Sequence, residues 1–124
     1  MNHVVLVGRL AEDPRVTTTE SGKQVTTVSV AVTRNFKNTE GIYESDFIRC
    51  VLWNGVATNT SEYCQVGDVI GIKGRLQTRY YDDEDNKRIY VMEVIAEKVT
   101  FLSSSKNKEV KDAKSSKKSK KEGN

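Results

Sequence analysis

Between Asp46 and Trp53 the sequence alternates large aromatic rings and a cation with small apolar side chains. The segment reads Asp-Phe-Ile-Arg-Cys-Val-Leu-Trp, and successive side chains of a β-strand point to opposite sides. One face would carry the rings and the cation: Phe47, Arg49, Val51 and Trp53. The other would be apolar: Ile48, Cys50 and Leu52. Flat rings around a guanidinium suit the stacking of unpaired bases and the neutralisation of their phosphates.

The segment from Val69 to Tyr81 repeats this division. Its apolar side would hold Ile70, Ile72, Gly74 and Leu76. Its polar side would hold Lys73, Arg75, Gln77, Arg79 and Tyr81. A solvated face of an antiparallel sheet is the alternative explanation for such a row. Together with the 46–53 segment, however, the row favours a binding surface.

Catalytic and metal-binding patterns are weak in this chain. There is one histidine, His3, and the two cysteines, Cys50 and Cys64, have no CxxC or zinc-site spacing. No glycine-rich phosphate loop and no suitably placed pair of acids occurs. We therefore expect a protein that is not an enzyme, with no cofactor and no metal, whose cysteines are reduced packing residues.

Charge is distributed unevenly along the 124 residues, whose net charge is +3. From Lys106 onward there are eight lysines and three acidic residues, whereas the preceding 105 residues hold 12 basic and 14 acidic residues. Any nucleic-acid site in the first part must therefore depend on local arrangement of charge. The composition predicts one folded domain, 1–103, and a flexible Lys/Ser-rich tail, 104–124, which has too few apolar residues to fold.

The chain has no run of the roughly 18 apolar residues that a membrane span needs, and its start lacks a signal-peptide pattern. We expect a soluble, cytoplasmic protein that is not associated with a membrane.

Strands dominate the predicted elements. Val28, Val30 and Val32 alternate with small polar or short residues, which is typical of a strand. Val56, Thr60, Tyr63 and Cys64 recur at a spacing of three or four residues and predict one short, weak helix. Several strands, one interposed helix and no βαβ rhythm favour an all-β fold: a five-stranded OB-fold Greek-key barrel with a short helix between strands three and four.

A set of short motifs, in order and over about residues 1–103, resembles bacterial single-stranded DNA-binding proteins. The motifs are Met1 to Leu10, Asp13-Pro14, Gly22-Lys23, Ser29-Val30-Ala31-Val32, Asp46-Phe47-Ile48, Val51-Leu52-Trp53, Gly74 to Arg79, Tyr90, Glu93-Val94 and Phe101-Leu102. The resemblance implies an OB-fold subunit, usually of a homotetramer, around which single-stranded DNA wraps.

The resemblance also implies roles for individual residues. Bases would stack on Phe36, Phe47, Trp53 and Tyr81. Phosphates would contact Arg9, Arg34, Arg49, Lys73 and Arg79, to which the row on the 69–81 segment adds Arg75. Tyr80 would point to the opposite face and pack, and Phe101 would lie in the core.

Two departures from the family pattern affect what can be expected. The residues before Gly67 are Gln65-Val66, where the family often has a basic residue, so the resemblance implies no basic phosphate contact at this position. The last residues are Lys-Lys-Ser-Lys-Lys-Glu-Gly-Asn, whereas typical members end in an acidic tip that binds replication and repair partners. Recruitment through such a tip is not expected.

Other functions stay open at this point. An OB module for RNA, or one associated with the primosome, would use the same fold and much the same surface. A purely structural assembly protein is also compatible with the first strand, since Val4 to Val7 are apolar on both faces and a subunit contact could cover them.

Overall fold

Six strands and one helix make up residues 1–103, the part of the chain that this computed structural model describes. The elements are β1 (Val4–Leu10), β2 (Thr17–Thr18), β3 (Gln24–Lys37), β4 (Tyr43–Trp53), α1 (Asn54–Tyr63), β5 (Val69–Asp82) and β6 (Arg88–Ser103). The predicted tail, 104–124, lies outside the described residues.

The sheet closes on itself to form a barrel. Its strand order is β1-β5-β6-β4-β3-β2, and a further pairing of β1 with β3 joins the two sides. Only β4 and β6 run parallel; the other described pairs are antiparallel. The two-residue β2 merely extends the edge beside β3. The five remaining strands form the barrel, and α1 lies between the third and fourth of them, so the predicted fold class is confirmed.

Alternating apolar residues fill the barrel. Their inward side chains are almost fully buried: Leu10, Val28, Val30, Cys50, Leu52, Ile70, Ile72 and Val94. Ala57 of α1 joins this cluster, and Phe101 packs against it with its ring 5.8 Å from that of Tyr63. The buried sides predicted for the 46–53 and 69–81 segments are therefore confirmed as far as Gly74.

Cys50 and Cys64 are fully buried in the core, as their packing role predicts. Burial raises the pKa of the Cys50 thiol to about 11, because the apolar surroundings disfavour the thiolate. Cys50 therefore stays protonated and behaves as a small apolar side chain.

Two hairpins extend beyond the closed part of the barrel. The β5–β6 hairpin pairs without interruption from Gly74 opposite Ala96 to Asp82 opposite Arg88. The β3–β4 hairpin pairs regularly only as far as Thr33 opposite Ser45, and its next pair is Lys37 opposite Tyr43. Strand β3 thus has two more residues than β4 in this interval, which is a bulge.

These extensions correct two predictions. Leu76 is 43% exposed and does not continue the apolar side of β5, and Tyr80 is 57% exposed instead of packed in the core. Both residues lie beyond Gly74, on the side of β5 that carries Ile70 and Ile72 but outside the buried cluster. No helix within residues 1–103 is long and apolar enough to cross a bilayer.

Candidate nucleic-acid interface

Strand β4 presents two aromatic rings and a cation on the outside of the barrel. Phe47 and Trp53 are 67% and 38% exposed, and Arg49 between them is also exposed. Their strand partners on β3 are the small Ala31, Ser29 and, for Trp53, Val25. Since directly paired residues share a side of the sheet, no large side chain of β3 covers the two rings.

The junction between β4 and α1 fixes Trp53. Its backbone is still extended, with φ −115° and ψ 145°, and the next residue, Asn54, has a φ of 51°. This left-handed conformation is one that asparagine tolerates better than most residues. The side-chain oxygen of Asn54 also accepts a hydrogen bond from the Gln24 backbone N–H at 3.2 Å. The chain therefore turns sharply after Trp53, and the indole remains at the rim of the barrel.

Strand β6 lies between β5 and β4 and brings the outward-facing side chains of these two strands onto one surface. Ile95 pairs with Arg75 on one side and with Val51 on the other, so the odd-numbered residues of all three strands share a surface. Tyr81, 49% exposed, lies at the far end of this surface. We name it the stacking face, which comprises Phe47, Arg49, Trp53, Arg75, Arg79 and Tyr81.

The cations of the stacking face differ in how their charge is compensated. Arg49 has no hydrogen-bond or ion-pair partner among residues 1–103. Arg75 donates to Gln77 at 2.9 Å and lies 3.8 Å from a Glu97 carboxylate oxygen. Arg79 donates from Nε to Glu93 at 2.8 Å. Arg49 is therefore the cation whose charge is least compensated.

Two further predicted cations lie outside the hairpins. Arg9 pairs with Ala31, which in turn pairs with Phe47, so Arg9 shares the outer side with that ring. Its Nη1 donates to the Gly67 carbonyl at 2.9 Å. Lys73 pairs with Val5 and has no ion-pair partner among the described residues. It lines a shallow depression of about 240 Å³ over β1 and β5.

The structure does not bring Arg34 and Phe36 onto the stacking face. The Arg34 guanidinium binds Asp46 through Nε and Nη2 and Glu44 through Nη1, at 2.8 to 3.2 Å. Asp46 points away from Phe47 because the two are adjacent on β4. The ring of Phe36 lies 6.0 Å from the guanidinium carbon of Arg34. Hydrogen bonding lowers the pKa of Asp46 and raises that of Arg34.

Sequence reasoning missed a second aromatic cluster, on the opposite side of the β5–β6 hairpin. The guanidinium carbon of Arg88 lies 4.1 Å from the ring centre of Tyr80, and the rings of Tyr80 and Tyr90 are 6.1 Å apart. Met92 extends the exposed cluster. The signal was available, since Arg88, Tyr90 and Met92 alternate along β6 opposite the parity of the stacking face.

Glu93 was also not recognised as a site residue by sequence reasoning. Its carboxylate lies on the side of β6 that carries Ile95, yet it is only 4% exposed. The signal was an acidic residue within the apolar run Val91 to Ala96, since a buried carboxylate requires a partner.

The acidic side chains Asp82 and Asp83 at the tip of the β5–β6 hairpin interact with groups of the same turn. Asp83 accepts hydrogen bonds from the backbone N–H groups of Asp85 and Lys87, both at 2.9 Å. Asp82 lies 3.6 Å from Arg88. Within residues 1–103, no cluster of three or more histidine, cysteine or acidic side chains could hold a metal ion.

A closed five-stranded barrel with aromatic and basic side chains on one outer face is the architecture of an oligonucleotide-binding module. Residues 1–102 match the model of the Single-strand binding protein family. The chain therefore belongs to that family.

Curated relatives agree with the family match. The chain is 49% identical over 107 residues to Single-stranded DNA-binding protein 3 of Listeria innocua, covering 86% of this chain and 67% of that protein. It is 46% identical over 101 residues to Single-stranded DNA-binding protein B of Bacillus subtilis, covering 82% and 89%. It is 50% identical over 102 residues to the Single-stranded DNA-binding protein of Bacillus cereus, covering 82% and 60%.

Proposed function

We propose that this protein binds single-stranded DNA without sequence preference, as a binding protein and not as an enzyme. The observation that carries the proposal is the joint exposure of Phe47, Trp53 and Tyr81 on one face with Arg49 between the two β4 rings. Every base has a flat π-face, so stacking on these rings discriminates little among bases. The names of the relatives support the same ligand.

The site would select single strands because a duplex keeps its base faces within its own stack. The exposed rings cannot stack on bases that are already stacked within a duplex, whereas an unpaired base can stack on them. The backbone would be neutralised by Arg9, Arg49, Lys73, Arg75 and Arg79. Each phosphate contact releases counterions, so the affinity should fall as salt rises.

The two remaining predicted residues, Phe36 and Arg34, have different roles in this proposal. Phe36 is exposed near the end of the β3–β4 hairpin and would stack a base that leaves the stacking face there. Arg34 has all three guanidinium nitrogens engaged by carboxylates. We therefore propose that Arg34 holds the hairpin together, which is a different role from the phosphate contact that the sequence predicted.

Trp53 gives a direct experiment, because it is the only tryptophan of the chain. Its fluorescence should be quenched by oligo-dT at two salt concentrations, with weaker binding at the higher one. A duplex of the same length should quench little. No quenching by oligo-dT would contradict the proposal and favour a structural role. A stronger response to poly-U than to poly-dT would favour the RNA-binding alternative.

We further propose that the protein is a homotetramer. The side chains of Val5 and Val7, two residues apart on the outer side of β1, are 73% and 56% exposed, and exposed apolar patches mark interaction surfaces. Light scattering should give about four times the chain mass of 13.9 kDa. Val7→Glu should reduce this mass, whereas Val66→Glu, at an exposed valine in the loop before β5, should not.

In the cell the proposed roles are the protection of single strands during replication, recombination and repair, in the cytoplasm at the nucleoid. The lysines of 104–124 would add a nonspecific attraction to DNA. Deleting 104–124 should reduce the salt dependence of oligo-dT binding modestly and leave the complex intact. A deletion that abolishes binding would show that residues 1–103 are not the main site.

A further inference from the structure

Glu93 places a buried negative charge beside a surface that we propose binds a polyanion. Its side chain is 4% exposed, and its Oε1 accepts a hydrogen bond from Arg79 Nε at 2.8 Å. A carboxylate at this position weakens the attraction of the surface for phosphate. A role for Glu93 at this surface must therefore come from its hydrogen bond with Arg79.

Holding the two strands together does not provide this explanation. The pairing of β5 with β6 is continuous from Gly74 to Asp82, and Arg79 and Glu93 lie within that ladder. A buried ion pair is in general weak evidence for stability, because desolvation offsets its attraction. The backbone already fixes the strands that carry both residues.

The geometry of the pair leaves one edge of the guanidinium available. Only Nε of Arg79 is engaged, and Nη1 and Nη2 have no partner among residues 1–103. The Arg79 side chain is 45% exposed, so this terminal edge reaches solvent. A guanidinium edge with two donors matches two phosphate oxygens, which a lysine cannot imitate.

We propose that Glu93 is a positioning residue that holds Arg79 by Nε, so that Nη1 and Nη2 form a preoriented fork for one backbone phosphate. The proposal rests on the proposed binding of single-stranded DNA. A free arginine would lose side-chain entropy on binding, whereas Arg79 has already been ordered by Glu93. The pair gives up some electrostatic attraction and gains a fixed donor geometry.

Positioning and simple repulsion predict opposite signs for one substitution. Glu93→Ala removes both the charge and the acceptor, whereas Glu93→Gln removes the charge and keeps an oxygen for Arg79 Nε. If Glu93 only repels phosphate, both variants bind oligo-dT more tightly than the natural protein. If Glu93 positions Arg79, Glu93→Ala should weaken oligo-dT binding by about threefold to tenfold, because the DNA must then immobilise one long side chain. Glu93→Gln should bind oligo-dT at least as tightly as the natural protein.

A second pair of variants tests the fork itself. Arg79→Lys keeps the charge and loses the two-donor edge, so we expect about threefold to tenfold weaker oligo-dT binding with an unchanged salt slope. In a Glu93→Ala background the same substitution should have little further effect. Arg88→Lys, on the opposite side of the same hairpin, is the matched control and should leave binding unchanged.

Each outcome of these titrations decides the proposal. Tighter binding by both Glu93 variants, or natural affinity of Arg79→Lys, overturns it. If circular dichroism shows that Glu93→Ala does not fold, Arg79→Lys decides between fork and repulsion, because a retained charge at position 79 would keep natural affinity if Glu93 only repelled phosphate. Failure of the natural protein to bind oligo-dT would instead contradict the proposed function, which separates the two claims.

Discussion

The two long hairpins each contain an arginine bound to an acidic residue, but the two pairs occupy different structural situations. In the β3–β4 hairpin the ladder is interrupted after Thr33, and Arg34 lies where the interruption begins. In the β5–β6 hairpin the ladder continues past Arg79 to the turn. Arg34 uses all three guanidinium nitrogens on Asp46 and Glu44, whereas Arg79 uses one.

This difference shows that an ion pair cannot be interpreted without the backbone around it. Where ladder hydrogen bonds are missing, the Arg34 side chain joins β3 to β4 in their place. Where the ladder is complete, the strands need no such link, and the second arginine keeps two donors for a ligand. We infer that the β3–β4 pair maintains structure and the β5–β6 pair serves the site.

The pairing of β5 with β6 shifts register between Lys73 and Gly74, and replacement of Gly74 should give the largest effect on stability. A Cβ at this position would overlap the backbone carbonyl of Ile95. Gly74→Ala should therefore reduce the free energy of unfolding by about 1–3 kcal/mol or more, the usual cost of overpacking. Urea denaturation followed by circular dichroism measures this change.

Gly71→Ala is the control for Gly74→Ala on the same strand. The atom nearest to its added Cβ would be Leu102 Cδ1 at 3.7 Å, an ordinary contact. This variant should keep its stability. If Gly74→Ala were equally stable, the crossing of β5 and β6 at this point would not be as close as described.

The two faces of the β5–β6 hairpin should differ in their contribution to DNA binding. Tyr81→Ala removes a ring of the stacking face and should weaken oligo-dT binding by about 1–3 kcal/mol, as should Trp53→Ala on β4. Tyr80→Ala removes the neighbouring ring on the opposite side, which contacts Arg88 and Tyr90. Its effect should be much smaller. Equal losses for Tyr80 and Tyr81 would show that DNA follows both sides of the hairpin.

The salt dependence of binding should separate Arg49 from Arg34. Arg49 has no described partner, so Arg49→Gln should lower the slope of log K against log salt by about 0.7, the value for one single-strand phosphate contact. Arg34→Gln should change this slope little, because its charge is already balanced by Asp46 and Glu44. Titrations of oligo-dT at four salt concentrations measure both slopes. If Arg34→Gln and Arg49→Gln changed the salt slope equally, Arg34 would also contact a phosphate.

Alternation along the strands was sufficient to predict the barrel core and the stacking face. The outward positions of Phe47, Trp53 and Tyr81 follow from a period of two, which holds wherever the ladder is regular. The helix that separates β4 from β5 followed from the spacing of Val56, Thr60 and Tyr63. These features depend on local sequence alone.

The failures share a physical cause, which is that exposure and pairing depend on distant parts of the chain. Leu76 and Tyr80 continue the inward alternation of β5, but both are exposed and lie outside the buried cluster. The link from Arg34 to Asp46 depends on the pairing register of β3 with β4, which no local pattern indicates. Burial of Glu93 likewise depends on packing between strands.

The link formed by Arg34 should be visible in the pH dependence of stability, and its effect should be the smallest of those considered. Arg34 lowers the pKa of Asp46 below its ordinary 3.8, chiefly through their hydrogen bond. The resulting stabilisation is fully present above the pKa of the unfolded chain and is lost as the pH falls through the lowered folded pKa. At neutral pH, Arg34→Gln should therefore unfold at a slightly lower urea concentration than the natural protein, and this difference should shrink below pH 3.8.

Asp46→Asn provides the matched variant for this experiment, because it removes the titrating group and keeps an acceptor near Arg34. Because this variant has no carboxylate at position 46, the pH dependence of its stability should lack the contribution of that group. Carboxyl titration by NMR gives the most direct measurement, since the pKa of Asp46 should rise when Arg34 is replaced. An Asp46 that titrates identically in both proteins would mean that the β3–β4 hairpin is not closed by this side chain. Arg34 would then have no structural role in the hairpin, and its guanidinium would be as available to a phosphate as that of Arg79.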